Sequence, residues 1–115
     1  MHSSVSIVDP KPATFLIHVL VSNQSTSMSI AQFELTVDDR QIFDREMAVD
    51  TQHSWEQVTI PLTRGNHSLV VREVKTQIYK SQVLNIDREL WITVTLHSSP
   101  AQLELTVFDH AIALM

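Results

Sequence analysis

A two-residue alternation of apolar and polar side chains governs this sequence. Between positions 30 and 37 the apolar residues are Ala31, Phe33, Leu35 and Val37, and polar residues separate them. This period is typical of a β-strand with one buried face. No segment keeps the 3.6-residue apolar period of a helix over ten or more residues. The alternation therefore predicts an all-β protein.

The only glycine, Gly65, lies in the stretch from Trp55 to Val74. Alternating segments flank residues 63–66, a pattern that predicts a β-hairpin with its turn there. We expect Gly65 to have a positive φ, because glycine enters that region without a Cβ penalty. Pro61 lacks an amide donor, so the first strand should be an edge strand or direct that position outward.

Two further hairpins are predicted on the same grounds. Asp38-Asp39-Arg40 supplies turn residues between 30–37 and 42–49, and Asp87-Arg88-Glu89 separates 77–86 from 90–97. The register of the first hairpin stays open. A two-residue loop pairs Leu35 with Ile42, whereas a longer loop pairs Val37 with Phe43.

About seven to nine short strands fit an antiparallel two-sheet sandwich, immunoglobulin-like or fibronectin type III-like. A small closed barrel is the alternative. Residues 1–13, with two prolines, are predicted to form an extended arm, and residues 14–115 a single domain. The apolar tail 111–115 is expected to fold back onto this domain, and contact with a second copy of the chain is the alternative. The predicted core contains Phe33, Leu35, Val58, Ile60, Leu69, Val71, Val94 and Leu105.

Charge and apolar runs limit the partners. The net charge is −5 and the basic residues are scattered singly, so nucleic acid is not expected. The longest apolar run, 15–21, is far shorter than the ~20 residues of a membrane span. It imitates a signal peptide only loosely, so a cytoplasmic location is the expectation and export the alternative.

Reactive chemistry is sparse in the sequence. There is no cysteine, and the six histidines do not have the spacing of a metal site. Turn chemistry explains Asp38 and Asp39, and the cluster that they form with Asp44 lacks the ordered ligand spacing of a calcium loop. His18 is expected to be a hydrogen-bonded core or strand-face residue. We therefore expect no metal, no cofactor and no enzymatic activity.

The candidate binding residues are His53, Trp55 and Trp91. A tryptophan exposed on a sandwich face can anchor a partner protein or stack on a sugar ring. The sequence nevertheless favours both tryptophans as core residues, because tryptophan is heavily buried on average.

Three short patterns occur together: Ser22-Asn23-Gln24-Ser25, Gln52-His53-Ser54-Trp55 and Gly65-Asn66-His67. Over roughly residues 15–115 the chain resembles small uncharacterised bacterial proteins with an immunoglobulin-like sandwich pattern. In that pattern a glycine stands where this chain has Asp39. The resemblance implies a fold and no activity.

The functional expectation is a non-catalytic interaction module that binds a protein partner or a second copy of itself through a sheet edge or face. The alternative is a carbohydrate- or metal-binding accessory domain that uses Trp55, Trp91 and the histidines. Exposure of the tryptophans distinguishes the two hypotheses.

Overall fold

A computed structural model describes residues 13–25, 30–48, 55–97 and 101–111 of the chain. This part of the chain contains eight β-strands and no helix, so it offers no helical segment that could cross a membrane. The strands are β1 (Thr14–Asn23), β2 (Ile30–Val37), β3 (Arg40–Ala48), β4 (Glu56–Thr63), β5 (Gly65–Glu73), β6 (Ile78–Ile86), β7 (Leu90–His97) and β8 (Gln102–Phe108).

The strands form two sheets of four, packed as a sandwich. The β1 sheet has the order β4-β1-β7-β8, and the β2 sheet has the order β3-β2-β5-β6. Neighbours are antiparallel except β1 and β7, which run parallel. The predicted all-β, two-sheet architecture is confirmed. The arm at 1–12 and the tail at 112–115 lie outside the described residues.

The core lies between the sheets and follows the alternation. Phe33, Leu35, Leu69, Val71 and Val94 are fully buried in it. The other predicted core residues are partly buried and pack against that cluster: Val58, Ile60 and Leu105. The predicted core is therefore confirmed, because the period of each strand decides which side chains leave water.

Two of the three predicted hairpins are wrong. β4 pairs with β1, whereas β5 pairs with β2 and β6, so the chain crosses from one sheet to the other at Arg64. In the same way, β6 and β7 belong to different sheets. A hairpin turn and a connection between packed sheets have similar turn residues, so local sequence does not separate them. Gly65 does have a positive φ, 123°.

β4 is an edge strand, as Pro61 predicted. The Arg64 amide donates to the Ala13 carbonyl at 3.0 Å, which continues the β1–β4 ladder. Because the direction of the backbone hydrogen bonds alternates along an antiparallel strand, the backbone groups of residue 62 bond to β1 and the backbone nitrogen of residue 61 faces the open edge. Pro61 thus lacks its donor on the side where no neighbouring strand needs it.

The β2–β3 hairpin is confirmed, but with neither predicted register. Asp38 and Asp39 form a two-residue turn with φ of 51° and 66°. Both positive values match the turn type that suits the twist of a hairpin. Val37 pairs with Arg40, and a register shift then pairs Leu35 with Phe43. The extra residue, Ile42, forms a β-bulge. The bulge combines a two-residue turn with a pairing in which Leu35 and Phe43 both face the core.

A buried carboxylate holds the β5–β6 connection. The fully buried Glu73 side chain accepts hydrogen bonds from the amides of Gln32, Thr76 and Lys75, at 2.8, 2.7 and 3.2 Å, and from the Thr76 hydroxyl. Burial by itself raises the pKa of Glu73, but these bonds favour the charged form more strongly, and the pKa falls below its ordinary value of 4.5.

Candidate functional site

Trp91 lies on the outer face of the β1 sheet, so the prediction that it is a core residue is wrong. Its strand neighbours Leu90 and Ile92 are buried in the core, and Trp91 itself is half-buried on the opposite side. It occupies a row that crosses all four strands: Thr59, His18, Trp91 and Phe108. Strand parity thus overrides the average tendency of tryptophan to be buried.

His18 is the most highly connected residue of this row. Its ring stacks on Trp91 with 5.0 Å between centroids and 21° between planes. Nδ1 lies 2.9 Å from the Thr59 hydroxyl, and Nε2 lies 2.6 Å from a carboxylate oxygen of Glu89. His18 is thus a hydrogen-bonded strand-face residue, as expected, and both of its ring nitrogens are engaged.

The connection from Thr59 through His18 to Glu89 has the order of a nucleophile, a base and an acid. Further contacts hold these side chains in place. The side-chain amide of Gln57 donates to the Thr59 hydroxyl at 3.1 Å. Thr59 lies within β4, and its side chain is exposed on the outer face of the β1 sheet. The arrangement fixes the orientation of His18 against Trp91.

Apolar side chains surround this stack at one end of the sheet. Leu16, two positions before His18 on β1, is 49% exposed. Phe108 lies beside Trp91 on β8, and its ring meets His110 edge-on at 5.8 Å between centroids. We call Leu16, His18, Trp91 and Phe108 the aromatic patch. Its rim is charged, with Glu89 on one side and the Arg88–Asp109 ion pair nearby.

The other predicted binding residues are not brought together with Trp91. Trp55 directly precedes β4, is half-buried and does not belong to the core cluster. His53 lies outside the described residues. Within the part of the chain that is described, no three histidine or carboxylate side chains are grouped so that they could hold a metal ion.

Sequence reasoning missed Leu16 and Phe108 as surface residues. For Trp91 the signal was present, because Trp91, Thr93 and Thr95 share one parity along β7. For Leu16 no such signal existed, since β1 is apolar at nearly every position and its exposed side follows from its neighbours in the sheet.

A cleft of about 410 Å³ opens on another side of the sandwich. It lies between β4 and the β2–β3 hairpin, where the edges of the two sheets diverge. Its lining is apolar with a polar rim: Val37, Asp38, Arg40, Gln41, Ile42, Ile60, Pro61 and Leu62. At the opposite end of these edges, Arg45 on β3 and Glu56 on β4 form an ion pair at 2.7 Å.

His67 connects three elements near this cleft. Its Nδ1 lies 2.5 Å from the Asp38 carboxylate in the β2–β3 turn, and its Nε2 lies 2.8 Å from the Thr63 carbonyl at the end of β4. Both ring nitrogens therefore face acceptors. The Asp38 hydrogen bond raises the pKa of His67 above its ordinary value of 6.5, and the Thr63 carbonyl adds to this effect against the opposing effect of burial.

This geometry predicts a pH-dependent contribution to stability. A raised histidine pKa stabilises the fold fully below 6.5, and that contribution is lost as the pH rises through the folded-state value. We expect the parent to lose more thermal stability than His67→Gln between about pH 6 and about pH 9. Melting temperatures across this range test it. The control is His97→Gln, because His97 bonds to Thr95 and Glu104 within its own sheet. Parallel curves for the parent and His67→Gln would contradict the prediction.

The fold and the aromatic patch define a small all-β sandwich with an outward-facing aromatic cluster. No protein-family model matches the chain, and no curated protein matches it. A solved structure described as "Crystal Structure of Gram Negative Toxin" has a TM-score of 0.42 and 14% sequence identity, over 83% of this chain. This chain spans 23% of the length of that protein. Likeness at this level carries no argument about function.

Proposed function

We propose that this protein is a non-catalytic binding module that contacts a partner protein through the aromatic patch. The observation that carries the proposal is the placement of Trp91 on the outer face of the β1 sheet, outside the core. Tryptophan is enriched among the residues that dominate binding energy at protein interfaces. An apolar centre within a charged rim is also the usual composition of such an interface.

The packing around Trp91 supports a pre-organised contact. Its ring is held by His18, which is fixed in turn by Thr59 and Glu89. A side chain that is already ordered loses less conformational entropy on binding than a mobile one. Leu16, which is exposed beside this stack, provides apolar area that a partner can cover.

The second candidate is a carbohydrate-binding accessory domain. Its support is the proximity of polar side chains, Gln57 and Glu89, to an outward-facing tryptophan. The imidazole of His18 covers one face of the indole ring, however. Flat stacking of a sugar ring would have to use the other face, and for this reason we rank protein binding first.

We also propose that the chain is related to the small bacterial proteins that its sequence resembles. The resemblance to small bacterial proteins with an immunoglobulin-like sandwich pattern is compatible with two packed four-stranded sheets and implies no activity. The parallel β1–β7 pair in the middle of one sheet is a distinguishing feature for comparison with any such relative.

Site-specific photo-crosslinking tests the proposed function. A benzophenone amino acid replaces Leu16 at the patch or, as a control, Thr36 on the outer face of the β2 sheet. In extract of the source cell we expect a discrete adduct from position 16, no matching adduct from position 36, and loss of the first when Trp91→Ser is added. Adducts that persist in a folded Trp91→Ser variant would exclude the patch as the contact.

Fluorescence distinguishes the carbohydrate alternative. Trp55→Phe leaves Trp91 as the only tryptophan of the chain. Under the protein-binding proposal, soluble oligosaccharides of cellulose, xylan, starch and chitin leave its emission unchanged. A saturable shift with one of them would favour the accessory-domain function instead.

A further inference from the structure

β6 is an edge strand of nine residues that exposes two large apolar side chains. Within the described residues its only partner strand is β5. Tyr79 and Val83 on β6 are 70% and 67% exposed, more than the other exposed large apolar residues, Leu16 and Ile30. Monomeric proteins usually interrupt or charge such an edge.

Among the residues that the structure describes, the backbone of β6 is also open for pairing on its outer edge. The Val74 amide donates to the Gln32 carbonyl at 2.8 Å, and the Asp38 amide donates to the Ser68 carbonyl at 2.9 Å. The backbone groups of residues 68 and 74, on and just after β5, therefore bond toward β2. Because the bonding direction alternates along an antiparallel strand, the backbone groups of residues 69, 71 and 73 bond toward β6. It follows from the register that Tyr79, Ser81, Val83 and Asn85 direct their amide and carbonyl groups away from β5.

Two of the other three edge strands, β4 and β3, are interrupted. Pro61 removes the outward donor in the middle of β4, and the bulge at Ile42 breaks the regular backbone of β3. β6 has no proline, no register shift and a single charged residue, Lys80. It is therefore a template for an additional strand.

We propose that β6 pairs with β6 of a second copy of this chain, antiparallel, with the two-fold axis at Ser81. In this register Tyr79 lies opposite Val83 of the second copy, and the two Ser81 residues face each other. An aromatic residue opposite a β-branched one is a favourable cross-strand pair. Each of these pairs exchanges two backbone hydrogen bonds through the groups that β6 leaves open.

Charge and symmetry select this register. On the inner face Lys80 lies opposite Gln82 of the second copy, so the only charge of the strand does not meet its like. A shift that places the axis at Gln82 puts Tyr79 opposite Asn85 and Val83 opposite Ser81, which separates the two exposed apolar residues. The contact is isologous, as a closed dimer requires, and it joins two β2 sheets into one.

Size measurement with a proline variant tests the pairing. We expect the parent to have twice the chain mass of 13.1 kDa by light scattering. Ser81→Pro should be a monomer, because it removes an amide that the protomer does not use. Ser81→Ala, the matched control, should remain a dimer. A monomeric parent at high concentration, or a dimeric Ser81→Pro, would overturn the proposal.

Cysteine variants test the register even if the proline variant does not fold. The chain has no cysteine of its own. The two Cα atoms at a hydrogen-bonded pair are about 5.5 Å apart, within the span of a disulfide. Ser81→Cys should thus form a covalent dimer on mild oxidation. In Tyr79→Cys the two sulfurs would be about 13 Å apart along the strands, so equal crosslinking of both variants would refute the register.

The dimer and the aromatic patch use different surfaces. Trp91→Ser should remain a dimer, and Ser81→Pro should keep the adduct from position 16. Failure of one proposal therefore leaves the other to be judged by its own experiment.

Discussion

Leu69→Ala should lower the free energy of unfolding by about 2 to 5 kcal/mol, the range for removing a buried leucine side chain. Leu69 is fully buried in the middle of the β2 sheet, between Val37 on β2 and Gln82 on β6. A cavity there is bounded by ordered strands on both sides, so we expect little relaxation around it. Equilibrium denaturation by urea measures the change.

The matched control is the next residue along the same strand. Val70 is half-buried on the outer face of the sheet, so Val70→Ala should cost no more than about 1 kcal/mol, the span of strand propensity. Equal losses from the two substitutions would mean that β5 does not present Leu69 to the core.

Glu73→Gln should lower the free energy of unfolding by about 2 to 3 kcal/mol at neutral pH, because buried donors lose a charged acceptor. The carboxylate serves the Gln32 and Thr76 amides from a fully buried position, so water does not replace it readily. The amide group of glutamine also brings donors toward donors. Denaturation curves of parent and variant give the difference.

The pH dependence of this difference has a defined sign. The folded pKa of Glu73 lies below its ordinary value of 4.5, so its contribution is complete above 4.5 and is lost as the pH falls through the folded value. Parent and Glu73→Gln should therefore converge in stability toward acid. Glu46→Gln is the control, because Glu46 is exposed and its ion pair with Lys75 is long, at 3.7 Å. A gap between parent and Glu73→Gln that stays constant down to about pH 3 would contradict the assignment.

The aromatic patch shows which features a local sequence pattern can predict and which it cannot. The parity of β7 placed Trp91 with threonines, and this parity was a better guide than average burial. Phe108 and Leu16 join Trp91 because β8 and β1 lie on either side of β7. That neighbourhood depends on a parallel β1–β7 pair between residues far apart in sequence, and no turn signal encodes such a pair.

Glu73 and His67 show the same limit for polar residues. In sequence, Glu73 continues the inward-facing parity of Leu69 and Val71, and nothing local indicates that Gln32 supplies it with a donor. His67 acquires its acceptors from Asp38 and Thr63 only because the chain crosses between sheets at Arg64. Both environments are products of packing between segments that are distant along the chain.

The sequence by itself determined the all-β class, the core faces of β2, β4, β5, β7 and β8, the positive φ of Gly65 and the edge position of β4. Each of these follows from the two-residue period or from the backbone limits of glycine and proline, which act within a few residues. Tertiary structure decided which strands pair, where the chain crosses between sheets, and the bulge at Ile42. These depend on burying both sheets against each other at once, so they are settled by contacts across the whole domain rather than by any local signal.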